Sequence, residues 1–361
     1  MRAFRAVGAV VAGACVLWAA PATSYKISAM GRFHERMTVL SERCLMYALG
    51  SFPLKCPVPA SQKAFLDTPW NEGRYWHDAR WSDDPTRQSD GSGLFKFGRN
   101  VAIDGCVNYI GPWNTNPGLL CNGHYGTMQF FHSMASLEPG QTVAEAPDPS
   151  FETTADKIIG WTAFAFGVAT GAPGPEKPFC EAARAYPAAG PALAPATFPE
   201  CGKWAVRQFF GFRCSKPFTS KGCNVAVADA DIPRVATGAL LHMIQDSYSR
   251  SHTGRGEPRL PAKGDGSFEK PQVRCRAVNV FYRYTLAQKK VHGAYDQAPE
   301  FLPECNVRDA MDPITAGARM IWLVENRCDA SWAKDLIREG VIGNHPTRIP
   351  ADAAACRVAI A

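Results

Sequence analysis

The sequence predicts a mainly α, single-domain helical bundle with long disulfide-tied loops. Several segments carry apolar residues at helical spacing behind proper start signals, and period-two alternation is scarce. The cysteines, even in number once a leader is set aside, supply the ties.

Met30 to Leu49 is the first helical stretch, and Thr154 to Val168 is apolar nearly all round, which predicts a buried helix. Asp231 with Pro233 opens a helix to about Ser249: the acid serves as cap, and the proline sits in the first turn, where no donor is lost. Asp312 with Pro313 opens another in the same manner. Arg274 to Gln297 reads as a long helix whose apolar side is Val278, Val280, Phe281, Tyr284 and Leu286. Residues Asn71 to Gly105, rich in Trp, Asp and Gly, read as irregular chain of the kind that carries ligand-binding loops. A Pro/Ala-rich excursion near 171–200 holds Cys180 and ends just before Cys201, so it reads as a pinned surface insertion within one domain spanning 25–361.

Met1 to Ser24 has the form of a secretory signal peptide: Arg2 and Arg5, an apolar run from Ala6 to Ala20, then small residues at Ala20, Ala22 and Ser24. The run is too short to span a bilayer, and no later stretch is long enough, so no transmembrane segment is expected. The expectation is a secreted or periplasmic protein. Removing the leader lowers the formal charge from +6 to +4. So mild a balance gives no argument for a nucleic-acid or anionic-membrane partner. Discarding Cys15 leaves twelve cysteines, for which a sequential pairing of neighbours is the simplest pattern. Cysteine as metal ligand has little support, because no Cys-x-x-Cys spacing occurs.

The strongest local signal is the segment from Gly238 to His252. His242 and Asp246 stand four apart on a helix and share one face, so they can hold one metal. His252 is displaced by roughly 80° around the same axis, so it serves another metal or follows the helix end. His292 and Asp296 repeat the four-residue spacing. Two such pairs with a further histidine suit zinc, which accepts imidazole and carboxylate together. His77 and His345 have no ligand spacing and read as structural or exposed.

These residues resemble the zinc-dependent phospholipases C of bacteria and the related fungal and plant single-strand-specific nucleases. His242, Asp246 and His252 match the family's His-x-x-x-Asp-x-x-x-x-x-His block, and His292 with Asp296 match its later His-x-x-x-Glu/Asp pair, at a longer separation between blocks. The family's mature chain starts with a residue, usually Trp, whose amine and carbonyl bind zinc, closely followed by a ligand histidine. Tyr25 and His34 are the corresponding positions. The family's Trp-x-Asp loop is matched by Trp81-Ser82-Asp83, with Asp84 as competitor, and its histidine before an aromatic by His124-Tyr125, with His132 as competitor. Read as a hydrogen-bonded histidine among Phe130, Phe131 and Met134, His132 has a bland alternative.

The resemblance implies three zinc ions. Asp246 would bridge two, one completed by His124 and His242 and the other by His34 and the main chain of Tyr25, while His252, His292 and Asp296 would hold the third. Asp83 would bind metal, orient a water or act as the catalytic base. The implied activity is hydrolysis of phosphate esters, with a phospholipid or other phosphodiester as substrate and transient membrane-surface contact. Nucleic acid is the substrate under the nuclease alternative, and a non-catalytic, zinc-stabilised binding protein is the third reading. The aromatic loop around Trp76 and Trp81 is expected to offer a lipid headgroup an apolar wall.

A free amine at Tyr25 can bind zinc only if nothing precedes it. Mass spectrometry of the exported protein should therefore give Tyr25 as its first residue; a start at Thr23 or an uncleaved chain would remove that ligand.

Overall fold

The computed structural model describes residues 32–83, 122–138, 150–186, 204–214, 223–225, 227–256, 275–284, 310–345 and 352–356, with positions 141, 193, 347 and 350. Its helices are α1 (Phe33–Tyr47), α2 (Gln62–Leu66), α3 (Phe151–Thr170), α4 (Phe179–Arg184), α5 (Val206–Gly211), α6 (Ile232–Asp246), α7 (Pro313–Glu325) and α8 (Ala330–Asp335). The last runs on as a π-type segment, Leu336–Ile342. Two antiparallel pairs, β1 (Phe212–Cys214) with β2 (Cys223–Val225) and β3 (Thr253–Arg255) with β4 (Val278–Phe281), and the 3-10 turns Asp78–Arg80, Gln129–His132 and Asp229–Asp231 complete the described elements. No described helix is long and apolar enough to cross a membrane.

Helix α6 is the centre of the bundle. All but two of its residues are buried, and α1, α3, α7 and the 3-10 turn Asp78–Arg80 pack around it. So complete an enclosure is why its sequence is apolar on most sides, with Thr237, His242, Gln245 and Asp246 as the buried polar exceptions. Helix α3, also buried on most of its circumference, is capped by the Ser150 hydroxyl, which accepts from Thr153 N, and ends on Gly171 in the left-handed region. Helix α7 starts as expected: the Asp312 carboxylate accepts from Ile314 N and Thr315 N, with Pro313 in the first turn.

Two expectations change. Asp231 is helical in backbone conformation and its side chain caps nothing; a 3-10 turn, Asp229–Asp231, leads into α6 and its main chain provides the entry. The stretch read as a helix from Arg274 is extended where described. Val278 and Phe281 are both buried, three residues apart, which mimics a helical period. The cause is a register shift: Arg255 faces Val278 while Gly254 faces Val280, so an extra residue in β4 turns both apolar side chains inward. The remainder of that stretch, 285–297, lies outside the described residues.

Cys44–Cys56 and Cys328–Cys356 follow the sequential pattern, and Cys180 and Cys275 are disulfide-bonded as well. The first bridge ties the end of α1 to the segment before α2. The second ties the α7–α8 turn to the last described segment. Arg255, buried behind α6, donates to Ser247 O at 3.0 Å and Val341 O at 2.8 Å, locking the turn after α6 to the π-type segment.

Two glycines let the helices approach. A Cβ on Gly317 would lie 2.6 Å from Ser41 Oγ, where α7 crosses α1 and Ser41 donates to Ile314 O. A Cβ on Gly238 would fall on the backbone of Asp78. Gly238 sits one turn before His242, so this contact sets how closely the 78–80 turn reaches α6. Gly238→Ala should destabilise the protein by about 1–3 kcal/mol, the usual range for overpacking a rigid contact, and denaturant titration measures it. An unchanged midpoint would mean the backbone yields without cost.

Candidate metal centre

Four elements converge on Asp246. Helix α6 supplies His242 and Asp246 on one face, and the first turn of α1 supplies His34. The 3-10 turn Gln129–His132 supplies His132, while the turn that follows α6 supplies His252. All five side chains are buried.

Asp246 Oδ2 lies 2.8 Å from His132 Nδ1, 2.9 Å from His242 Nε2 and 3.5 Å from His252 Nδ1. Asp246 Oδ1 lies 3.4 Å from His34 Nε2 and makes no hydrogen bond. The rings of His34 and His242 stack at 3.9 Å. Asp83, on the loop after the 78–80 turn, brings Oδ1 to 3.6 Å from His242 Nε2, 3.9 Å from His132 Nδ1 and 4.0 Å from His124 Nε2. His34, His242 and Asp246 form one group able to hold a metal ion, and Asp83, His132 and His242 form a second.

The hydrogen bonds explain why these groups suit a cation. His242 Nδ1 lies 2.6 Å from Ala79 O and His252 Nδ1 lies 2.6 Å from His132 O. A carbonyl only accepts, so each Nδ1 carries the proton and each Nε2 keeps its lone pair. That second-sphere pattern is the usual one for histidine ligands. It also leaves the lone pair of His242 Nε2 between His132 Nδ1 at 3.1 Å and Asp246 Oδ2 at 2.9 Å, a crowded set of polar atoms that a cation or proton could bridge.

Titration behaviour agrees. Burial pushes the imidazoles of His34, His132 and His242 below their ordinary range, with neighbouring histidines adding to the effect for the first two. Burial pushes Asp246 well above the carboxylate range. The close His–Asp contacts are therefore not simple ion pairs between a charged ring and a charged acid: the interior disfavours both charges, and a multivalent cation is what would restore the carboxylate.

Of the residues singled out from the sequence, the structure brings His34, Asp83, His242, Asp246 and His252 together. His252 follows the helix end, and the N–H of Tyr282, the residue after β4, donates to its carbonyl at 2.8 Å and so holds the turn that presents it. His124 stands at the rim, its side chain 18% exposed and its ring 4.7 Å from that of His132. Of the two competing histidines, His132 is the one grouped with Asp83 and His242. Tyr25, Asp84, His292 and Asp296 lie outside the described residues. His345 is exposed and His77 is 38% exposed in its side chain, as expected of residues without ligand spacing.

Glu35 is a neighbour that ligand spacing did not reveal. It follows His34, is fully buried, and neither carboxylate oxygen makes a hydrogen bond; Arg80 Nε is 3.8 Å away. Burial raises its pKa to about 7 against the pull of Arg80. The aromatic wall is also different from expectation. Trp81 is 1% exposed and packs with Trp161, Phe131, Phe209 and Phe210, so it anchors the Asp83 loop in the core. Trp70 and Trp76 meet edge to face at 5.4 Å, with the Arg32 guanidinium 3.2 Å over the first ring and Arg80 5.8 Å from the second.

His252 gives a pH prediction for protein stripped of metal. Burial lowers its pKa from 6.5 to about 3. Above pH 6.5 the folded and unfolded chains both hold it neutral; below, the unfolded chain gains a proton that the folded one refuses, so stability is lost as pH falls through that window. The slope approaches about 1.4 kcal/mol per pH unit at most. Glu35 acts with the opposite sign, its raised pKa costing stability as pH rises from 4.5 to about 7. The contribution of His252 is therefore read as the difference between wild type and His252→Gln. That difference should move against wild type between pH 6.5 and pH 4; parallel stability curves would contradict it.

No protein-family model, curated protein or solved structure matches the chain, so what can be said of this centre is carried by its own geometry.

Proposed function

We propose that the chain is an exported, zinc-dependent phosphoric ester hydrolase acting on a phosphodiester. The observation that carries this reading is the sharing of two metal-binding groups: His242 belongs to both, and the two oxygens of Asp246 face different histidines. Neighbouring cations held this way would lower the pKa of a water and neutralise phosphate oxygens. The ligands are nitrogen and oxygen, which suits zinc. The resemblance supplies the count of three ions, with Tyr25, His292 and Asp296 completing the set.

The protein's own residues have separable tasks. Asp83, buried on a loop anchored by Trp81, is held where it can orient a water or accept its proton. Ala79 O and His132 O fix the rings of His242 and His252. His124, at the rim, is the partly exposed member of the cluster. Disulfides accord with an oxidising compartment.

Phospholipid headgroup esters remain the first substrate class, on the resemblance. A single-strand-specific nuclease is the second reading, and one observation favours it: guanidiniums cover Trp70 and Trp76, so the flank beside Glu35 presents stacked arginine and not a bare apolar wall.

His242→Ala and Asp246→Ala should each lower both zinc content and turnover, the latter by about 100-fold or more, while His345→Ala changes neither. Equal metal content in all three would sink the assignment. The zinc-loaded protein should cleave phosphatidylcholine faster than single-stranded DNA at low and moderate salt. DNA cleavage without phospholipid turnover would make it a nuclease, and zinc without turnover of either would make it a binding protein.

A further inference from the structure

We propose that Gln245 and Thr38 are positioning residues that set the tautomer of His34, protonating Nδ1 and leaving Nε2 to face Asp246. The consequence for metal affinity rests on the metal-centre reading above; the tautomer does not.

His34 Nδ1 lies 2.7 Å from Gln245 Oε1, and Gln245 Nε2 donates to Thr38 Oγ1 at 3.0 Å. His34, Thr38 and Gln245 are all fully buried, so water does not compete for these groups. An amide has one acceptor end and one donor end. The amide nitrogen lies on Thr38 and the amide oxygen on His34, and an oxygen there requires the proton on Nδ1. The opposite tautomer, Nε2–H, is the one imidazole prefers in water. It would place a hydrogen where an ion shared with Asp246 Oδ1, 3.4 Å away, would need the lone pair.

The arrangement differs from those of His242 and His252, whose Nδ1 atoms meet main-chain carbonyls that no side-chain substitution removes. His34 alone among these three depends on a side chain. The two positioning residues also come from the helices that carry the ligands: Thr38 lies one turn after His34 on α1, and Gln245 precedes Asp246 on α6. Stacking of His34 on His242 fixes the plane of the ring. The amide then decides which nitrogen is bare, so the residue beside the bridging acid acts on the histidine across from it.

The test uses the full mature chain with Gln245→Leu, Gln245→Glu and Thr38→Val. Imidazole nitrogen chemical shifts of His34, read in protein stripped of metal, report the tautomer directly; zinc competition against a chromophoric chelator reports affinity. Wild type should show Nδ1–H. Gln245→Leu should shift His34 toward Nε2–H and weaken zinc binding by about 10–100-fold. Gln245→Glu, measured at a pH where it is ionised and so offers only acceptor oxygens, should keep Nδ1–H and hold affinity near the wild-type value, and Thr38→Val, which frees the amide to turn, should fall between them.

A wild-type Nε2–H signal would overturn the proposal, as would a Gln245→Glu variant that behaves like Gln245→Leu. If Gln245→Leu does not fold, the wild-type shift and Gln245→Glu decide the matter. Wild type that binds no zinc yet shows Nδ1–H, lost in Gln245→Leu, would uphold the tautomer assignment and remove the metal reading instead. Zinc affinity unchanged in Gln245→Leu despite a switched tautomer would overturn the positioning role while leaving the metal centre in place.

Discussion

The carboxylate of Asp246, buried among four histidines, is the constraint on which the rest of the structure turns. Taking an ionised acid out of water costs several kcal/mol even after relaxation, and the surrounding rings are held neutral by the same burial. The elements that meet at this point supply the acid, the ring nitrogens or the contacts that hold them in place. Helix α6 brings the acid itself, α1 brings His34, the 129–132 turn brings His132, and Tyr282, the residue after β4, holds the turn carrying His252. The centre thus gathers buried polar groups, Asp246 Oδ1 among them without a hydrogen bond, into an arrangement that could hold a cation.

Support for it comes from packing of ordinary kinds. Gly238 lets the 78–80 turn lie against α6, and that approach delivers Ala79 O to His242. Trp81, gripped by an aromatic cluster, carries Asp83 two residues later into reach of His132 and His242. Side chains far from the chemistry thereby fix the positions of the side chains that would perform it. A close-packed interior transmits displacement, so a change at Gly238 or Trp81 is felt at the ligands.

Much of this was legible in the sequence, and what was not had definite causes. His242 and Asp246 declare themselves because a helix places residues four apart on one face, and the apolar run around them marks the helix as buried. Asp312 with Pro313 was readable because a cap is a local device; Asp231 misled because the 3-10 turn before α6 does the capping work through main chain. His132 carries no periodic signal: it sits in a four-residue turn among phenylalanines, and only the folding of that turn onto α6 brings it to Asp246. The strand β4 imitated a helix through its bulge. Glu35 was invisible as a neighbour of the centre because nothing in its spacing distinguishes it from a surface acid in the first turn of a helix.

We propose that nitrogen and oxygen side chains of this cluster bind zinc. X-ray absorption at the zinc edge, on the purified mature protein, tests it most directly because it reports the ligand atoms and not the activity. Zinc held here should show nearest neighbours of nitrogen and oxygen at about 2.0–2.2 Å, the more distant scattering of imidazole, and no sulfur. A sulfur shell at about 2.3 Å, or a spectrum of hydrated zinc alone, would contradict it.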